Sequence, residues 1–215
     1  MPSLVGSEMC IRDRYWPGFT GRAEPAILLL EDVGADYTVN TDVAATLDRL
    51  SKEEPVFACP LLIDGDTIVS QTSVIVEYLA KKHDCDVAPD DAIKAGQFGY
   101  NLADIWRETY ESRRDRVDSY LEERFPKWLD VMENSFQGEK KWFFSDENPT
   151  WIDYLALNIV TLATYCWGKP AKEMMDSRLK LAQWTERVMA RPRLKSYFEN
   201  HESLPVGYED ILASN

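Results

Sequence analysis

Histidine and paired cysteines are scarce in this sequence, which limits the chemistry that it can support. The chain of 215 residues has only two histidines, His83 and His201, and its four cysteines form no CxxC pair and no cluster with histidine. Zinc sites and dithiol redox centres are built from such clusters, and a Ser-His-Asp triad needs a histidine base. A metal site, a dithiol centre and a histidine-based triad are therefore poorly supported.

Positive charge is also low in this chain. It carries 24 Lys and Arg against 37 Asp and Glu, so its formal net charge is -13. Nucleic acid and anionic membrane surfaces bind clustered basic residues, so neither is an expected partner. The sequence lacks a run of about 18 apolar residues and the apolar stretch of a secretory signal, so we expect no membrane span and a cytoplasmic location.

The first fourteen residues resemble a translated sequencing adapter. Residues 3–14 read Ser-Leu-Val-Gly-Ser-Glu-Met-Cys-Ile-Arg-Asp-Arg, and the end of a transposase library adapter, ATG TGT ATA AGA GAC, encodes the part from Met9 to Asp13. We therefore expect residues 1–14 to be a non-native segment that stands in place of the native start, and we leave them out of the fold. The alternative is an ordinary disordered N-terminus.

Strand and helix signals alternate between residues 15 and 83, in a chain whose apolar content of 45% is enough to bury a core. Pro25 lies in the first turn of a helical pattern and Gly34 at its end, where a left-handed cap is common. Two apolar runs flank Asp64-Gly65-Asp66, which is typical of a tight hairpin. The predicted elements are, in order, a strand of which Tyr15-Trp16 is the remaining part, a helix over 22–34, a strand over 36–40, a hairpin over 59–69 and a helix over 72–83.

Strand signals stop after a polar connector, and the rest of the chain is helical by pattern. The segment from Trp151 to Trp167 is apolar on most of its circumference, so we expect it to be a buried central helix. Thr150 and Asp153 have the spacing of a capping box at its start. The sequence thus predicts a small α/β domain over 15–83, a linker over 84–91 and an all-helical domain over 92–215, with helices over 92–116, 118–136, 151–167, 177–190 and 192–200.

Several short motifs, taken together and in order, resemble those of the cytosolic glutathione transferase family. They are Tyr15-Trp16, Gly21-Arg22-Ala23-Glu24-Pro25, Cys59-Pro60-Leu61-Leu62, Ser70-Gln71-Thr72-Ser73 and Pro149-Thr150-Trp151-Ile152-Asp153. The resemblance covers residues 15–205 and is of the tyrosine-using type, similar to the mu and sigma classes. It implies an N-terminal thioredoxin-like domain that binds glutathione, followed by an all-helical glutathione-transferase C-terminal domain.

The resemblance also implies where glutathione would bind. The family places a cis-proline at Pro60, which turns the backbone of Cys59 toward the cysteinyl part of glutathione; the alternative is a trans-proline that starts an edge strand. Gln71 and Thr72 would hold the γ-glutamyl end at a helix N-terminus, whose N–H groups suit a carboxylate; the alternative is a plain N-cap. Further candidate contacts are Trp16 and, for the glycine carboxylate, Lys52.

Tyr15 is the candidate catalytic residue by resemblance. Free thiols titrate near ~8.5, and a phenol hydroxyl that donates to sulfur would stabilise the thiolate of glutathione, with Arg22 supporting the tyrosine. The sequence departs from the tyrosine-using classes by one extra residue between Tyr15 and Gly21. Two alternatives stay open: Tyr15 is a core aromatic of the first strand, or Thr20 supplies the catalytic hydroxyl.

The second substrate would be a small hydrophobic electrophile, for which the pocket should be apolar. Aromatic side chains at helical spacing are the candidates, although such residues more often belong to a core. The candidates for this electrophile pocket are Phe19, Trp106 and Tyr110.

Family members are usually homodimers, so the resemblance implies a second copy of this chain as a partner. An apolar residue just before the cis-proline docks into the helices of the other subunit, and Val56 or Phe57 would be that residue. An acid or amide that reaches the other subunit's glutathione would lie near Asn101 or Asp104.

The function that follows is a glutathione transferase for detoxification, which conjugates glutathione to hydrophobic electrophiles or isomerises them, with glutathione as co-substrate and no metal. The alternative is a non-catalytic ligand-binding or structural module of the same fold. A thiol-disulfide exchanger that uses Cys59 is weaker, because the reactive cysteine of such members precedes the first helix, where this chain has Phe19-Thr20.

Overall fold

The computed structural model describes residues 7–10, 20–40, 48 and 55–200. Backbone contacts divide the chain into two compact units. The first unit holds the described residues up to Leu79 together with Pro192–Asn200, and the second is Ala80–Arg191. The sequence placed everything from residue 92 onward in the helical domain, whereas the structure groups the last described helix with the first unit, because that helix packs on the first helix of the chain.

Among the described residues, four strands form the sheet of the first unit: β1 (Ser7–Cys10), β2 (Tyr37–Asn40), β3 (Leu61–Asp64) and β4 (Thr67–Ser70), in the spatial order β2-β1-β3-β4. β1 runs parallel to β2 and antiparallel to β3, with Met9 opposite Leu62. β3 and β4 form the hairpin that the sequence predicts, and Gly65 at its turn has a φ of 61°.

The segment that the sequence analysis left out of the fold contains a central strand. β1 lies within residues 1–14 and hydrogen-bonds to two neighbouring strands. Strand pairing uses backbone N–H and C=O groups, which every residue other than proline carries, so a resemblance to an adapter does not prevent a segment from pairing. Tyr15 and Trp16, predicted as the remaining part of the first strand, lie outside the described residues.

Helix α1 (Glu24–Val33) follows a single 3₁₀ turn, Gly21–Ala23, and ends at Gly34, whose φ of 70° is the left-handed cap that the sequence predicts. Its apolar residues from Pro25 to Leu30 are buried in the first unit. The last described helix, α7 (Pro192–Asn200), packs on α1 and places the Arg193 guanidinium over Gly34, so that a Cβ at Gly34 would lie 2.5 Å from the Arg193 Cζ.

Helix α2 (Thr72–Lys82) follows β4 after a single residue, Gln71, and ends one residue before the predicted end at residue 83. Its side chain Tyr78 donates to Asp64 at the hairpin turn, at 2.9 Å. This hydrogen bond holds α2 against the β3–β4 hairpin.

The second unit is helical: α3 (Ala92–Arg114), α4 (Phe125–Asn134), α5 (Trp151–Asp176) and α6 (Leu179–Met189). The predicted helix over 118–136 is a π turn, Tyr120–Arg124, that leads into α4. α5 is buried along Trp151–Val160, as the sequence predicts for the central helix. It extends beyond the predicted end through a kink at Gly168, where φ is 59° and ψ is −137°.

The start of α5 is fixed by the buried carboxylate of Asp153, in the predicted capping box. Its Oδ2 accepts the backbone N–H of Thr150 at 2.8 Å and the Thr150 hydroxyl at 2.9 Å. Its Oδ1 accepts the indole N–H of Trp184 at 2.7 Å and the backbone N–H of Phe143 at 3.3 Å. Burial raises the pKa of Asp153 to about 6. The carboxylate therefore joins α5, α6 and the loop before α5.

Candidate functional site

Two of the predicted glutathione contacts lie together at one end of the β3–β4 hairpin. The peptide bond between Cys59 and Pro60 is cis, as the resemblance implies. Leu61 pairs with Ser70 across the hairpin, so the cis-proline and Gln71 flank the same pair of residues. Pro60 is buried and Gln71 is exposed. The turn before β3 and the start of α2 thus form one continuous edge of the first unit.

The backbone at Gln71 has a φ of 74°, the left-handed region that residues other than glycine seldom adopt. Such a conformation costs free energy and persists where neighbouring structure enforces it, which occurs often at binding sites. Here Gln71 joins β4 to α2, and its carbonyl accepts the N–H of Ile75 at 2.9 Å. The conformation leaves the first N–H groups of α2 at the exposed edge, where a helix N-terminus favours a carboxylate.

The hydroxyl of Thr72 donates to the backbone carbonyl of Arg22 at 2.8 Å. Its proton is therefore used within the protein, while its oxygen can still accept a hydrogen bond from an ammonium or N–H group. Arg22 lies in the 3₁₀ turn before α1 with its side chain exposed. The contact ties the start of α2 to the start of α1, although the two lie fifty residues apart in sequence.

A buried carboxylate lies two residues after Arg22, at the start of α1. Glu24, in the first turn of α1, is only 6% exposed, and its carboxylate accepts the hydroxyls of Thr20 and of Tyr197 from α7, the latter at 3.1 Å. Burial raises the pKa of Glu24 to about 7, and the Tyr197 hydrogen bond opposes that shift in part. The Thr20 proton is engaged by Glu24, so the structure gives Thr20 a structural contact where the sequence left a catalytic alternative open.

A second tyrosine–carboxylate pair lies two turns further along α1. The Tyr37 hydroxyl donates to Glu31 at 2.5 Å, and burial raises the pKa of Tyr37. Glu31 also lines a polar cavity of about 300 Å³ between α1 and α7, together with Arg193, Ser196, Tyr197 and Asn200. Positions 24 and 31 are seven residues apart, so both carboxylates lie on the same face of α1.

Four of the candidate site residues lie outside the described residues, and no geometry is assigned to them: Tyr15, Trp16, Phe19 and Lys52. Those that the structure places in the first unit are Arg22, Cys59, Pro60, Gln71 and Thr72. The structure places β1 against this edge as well, with Cys10 opposite Leu61.

The two described candidates for the electrophile pocket lie on α3 of the second unit. Trp106 and Tyr110 stack with ring centroids 5.3 Å apart and planes 18° apart. Trp106 is 6% exposed and Tyr110 is half-buried. Of the two stacked rings, Tyr110 is therefore the more accessible to solvent.

The candidates for subunit contact differ in exposure. Phe57 is 95% exposed, whereas Val56 is half-buried and packs against Leu61. On α3, Asn101 lines a cavity of about 500 Å³ in the second unit, and Asp104 forms an exposed ion pair with Arg107 at 3.3 Å. Lys94, Phe98, Val131, Asn134 and Phe144 also line that cavity.

In the part of the chain that the structure describes, no group of three or more His, Cys, Asp and Glu side chains is arranged to hold a metal ion. None of the helices described here has the length and apolar character needed to cross a membrane.

Solved structures share this architecture over nearly the whole chain. The Pi-class glutathione S-transferase of Onchocerca volvulus superposes with a TM-score of 0.75 at 19% identity, over 91% of this chain and 93% of that one. The glutathione S-transferase of Ascaris lumbricoides gives a TM-score of 0.74 at 16% identity, over 94% and 100%. The fold is that of a glutathione S-transferase.

Sequence comparisons agree with the fold. Residues 100–201 match the family model described as Glutathione S-transferase, C-terminal domain. The chain is 26% identical over 204 residues to Glutathione S-transferase P 1 of Xenopus laevis, covering 86% of this chain and 90% of that protein. It is 26% identical over 208 residues to the Glutathione S-transferase of Plasmodium falciparum, covering 87% and 95%. The chain is therefore similar in sequence to glutathione S-transferases over most of its length.

Sequence reasoning missed the contact between Glu24 and Tyr197 in this glutathione S-transferase fold. The only signal in the sequence was a carboxylate just before the apolar run of α1, which also fits an ordinary charge at a helix N-terminus. The partner hydroxyl lies 173 residues away, so no local pattern could identify it.

Proposed function

We propose that this protein is a glutathione transferase: it binds glutathione at the hairpin edge of the first unit, and Tyr15 stabilises the thiolate that attacks a hydrophobic electrophile. The observation that carries the proposal is the edge formed by the cis Cys59–Pro60 bond and the left-handed Gln71, which together leave a strand backbone and a helix N-terminus side by side.

Each part of glutathione matches a group at this edge. The backbone of Cys59 pairs with the cysteinyl part in the manner of an added strand. The γ-glutamyl carboxylate binds the N–H groups at the start of α2 and the Gln71 amide, and the Thr72 oxygen accepts from its ammonium group. Trp16 and Lys52 complete the glutathione contacts, Lys52 by pairing with the glycine carboxylate.

The activation step requires only a hydrogen bond to sulfur. A thiol with pKa near ~8.5 is mostly protonated at neutral pH, and lowering this pKa by about two units makes the thiolate predominant, at about 1.4 kcal/mol per unit. Tyr15 donates this hydrogen bond and Arg22 supports it. The placement is supported by both flanks of the segment that contains Tyr15, since Cys10 lies opposite Leu61 and Arg22 contacts Thr72.

The thiolate then adds to an electrophilic carbon, or isomerises a substrate, against apolar side chains that include Phe19, Trp106 and Tyr110. Expulsion of water from such a surface favours hydrophobic substrates. This makes detoxification in the cytoplasm the proposed role, with glutathione as co-substrate and no metal.

We place the active form as a homodimer. Phe57, almost fully exposed, is the docking residue, because a fully exposed Phe gains about 1.5–3 kcal/mol of free energy when it is buried. The cavity of about 500 Å³ on the second copy has room for one phenyl ring and offers Phe98, Val131 and Phe144 to it. Asn101 or Asp104 then lies at the same interface and reaches the other subunit's glutathione.

The test is the conjugation of glutathione to a chromogenic aryl halide, measured for the wild type, Tyr15→Phe and Tyr37→Phe. Loss of the Tyr15 hydroxyl should reduce kcat/KM by roughly 100-fold, the equivalent of two pKa units. Tyr37→Phe removes a buried hydroxyl away from the sulfur and should retain activity.

Full activity in Tyr15→Phe would remove Tyr15 from the mechanism. Glutathione binding without turnover in the wild type would favour a non-catalytic module of the same fold. Absence of glutathione binding would refute the proposed function as a whole.

A further inference from the structure

Glu24 lies where the start of α1 meets α7 in the first unit. Its carboxylate accepts hydrogen bonds from Thr20, four residues before it, and from Tyr197 on α7. Tyr197 is itself only 8% exposed, so the contact is shielded from water. Between Thr20 and Glu24 lies Arg22, whose carbonyl accepts the Thr72 hydroxyl.

The segment from Thr20 to Glu24 is closed by two backbone hydrogen bonds, from Ala23 N–H to Thr20 at 3.0 Å and from Glu24 N–H to Gly21. Gly21 adopts a φ of 56° to make this turn. The Thr20–Glu24 side-chain contact joins the ends of this turn, and the Arg22 carbonyl within it faces Thr72, the first residue of α2.

We propose that Glu24 and Tyr197 are positioning residues of the glutathione site: Tyr197 holds Glu24, Glu24 holds the Thr20–Glu24 turn, and the turn orients Thr72 through the Arg22 carbonyl. The inference rests on the proposed function, because it assigns the consequence to glutathione binding. Neither residue touches glutathione in this arrangement, so their effect is on affinity through Thr72.

Ionisation of Glu24 should strengthen this link. The titratable groups that face it are Tyr197 on α7, Tyr37 on β2 and Glu31 on α1, and burial raises the pKa of both tyrosines, so they stay neutral around pH 7. When it is ionised, the Glu24 carboxylate accepts the Thr20 and Tyr197 hydroxyls in charge-assisted hydrogen bonds, which are roughly twice as strong as neutral ones. Because the pKa of Glu24 is about 7, glutathione should bind more tightly at pH 8 than at pH 6.

The test uses S-methylglutathione, which has no thiol, so that its affinity reports neither Tyr15 nor thiolate formation. Calorimetry at pH 7.5 compares the wild type with Tyr197→Phe and Thr20→Val, each of which should bind roughly tenfold more weakly if one charge-assisted hydrogen bond of about 1.5 kcal/mol is lost. Thr20→Ser keeps the hydroxyl and should restore affinity to within about twofold of the wild type.

The matched control is Tyr37→Phe. It removes a tyrosine–carboxylate hydrogen bond from the same face of α1, at Glu31, and keeps the hydrogen bonds from Tyr197 to Glu24 and from Thr72 to Arg22. Its affinity should equal that of the wild type. Glu24→Gln supplies the pH readout: the wild type should bind more tightly at pH 8 than at pH 6, and the variant should bind equally at both.

Wild-type affinity in Tyr197→Phe, an equal loss in Tyr37→Phe, or an unchanged pH dependence in Glu24→Gln would each overturn the positioning role. Amide hydrogen exchange separates this result from failure of the proposed function. If the wild type does not bind S-methylglutathione, Tyr197→Phe should still accelerate exchange at Ala23 and Glu24 more than Tyr37→Phe does, and equal exchange in both variants would refute the link.

Discussion

Substitution of Asp153 by Asn tests the strongest polar contact in the helical unit. The change keeps the shape of the side chain but turns one of its two oxygens into an NH₂ group. In the native protein each oxygen accepts two hydrogen bonds, from Thr150 on one side and from Trp184 and Phe143 on the other. With the NH₂ group toward Trp184 and Phe143, two buried N–H donors lose their acceptor; with it toward Thr150, whose hydroxyl can turn to accept, the Thr150 backbone N–H still loses its acceptor.

The size of the effect follows from this count. A buried donor left unpaired costs about 1–3 kcal/mol, and the amide orientation with its NH₂ group toward Thr150 leaves one such donor. The loss of charge offsets part of this cost, since burial already raises the pKa of Asp153 to about 6. We expect the free energy of unfolding to fall by about 1–3 kcal/mol, a substantial part of the ~5–15 kcal/mol that is typical of a domain.

The assay is urea unfolding at pH 7, followed by tryptophan fluorescence, to which the buried Trp184 contributes. Asp176→Asn is the control, because Asp176 lies on the same helix with an exposed carboxylate paired to Lys172. An exposed pair contributes about 0–1 kcal/mol, so the control should stay near the wild type. A destabilisation of Asp153→Asn no greater than that of the control would refute the assignment of Asp153 as the buried junction of α5, α6 and the preceding loop.

Three further predictions concern the first unit and the dimer. Burial raises the pKa of Glu24 from 4.5 to about 7, so between these pH values the folded wild type binds more protons than the unfolded chain. The free energy of unfolding of the wild type should therefore fall by about 3 kcal/mol from pH 4.5 to pH 8 in urea titrations. Glu24→Gln should flatten this pH dependence. In thermal melts, Gly34→Ala should destabilise the protein by about 1–2 kcal/mol, because alanine disfavours a φ of 70° and its Cβ displaces Arg193. Gly96→Ala, inside α3 with open space around it, should stabilise the protein by about 0.5–1 kcal/mol in the same assay. Phe57→Ala should shift the proposed dimer toward monomer in sedimentation velocity, and Leu179→Ala, which truncates another exposed apolar side chain, should leave it unchanged; equal sedimentation of all three proteins would argue against Phe57 as the docking residue.

The sequence by itself was enough for elements whose conformation depends on a few neighbouring residues. The hairpin around Asp64-Gly65-Asp66, the left-handed cap at Gly34 and the capping box at Asp153 all follow from the dihedral and hydrogen-bonding preferences of the residues at those positions. The buried α5 followed from its apolar circumference, which no exposed helix would tolerate. The order of these elements already indicated an α/β unit followed by a helical one.

Only the tertiary structure decided what packs against what. It placed β1 in the middle of the sheet within a segment that the sequence analysis had set aside, and it joined α7 to α1 instead of to the helical unit. It also separated the exposed Phe57 from the half-buried Val56, and brought Glu24 within 3.1 Å of Tyr197. Strand pairing and desolvation depend on groups that lie far apart in the chain, and the local periodicity of the sequence does not predict such long-range contacts.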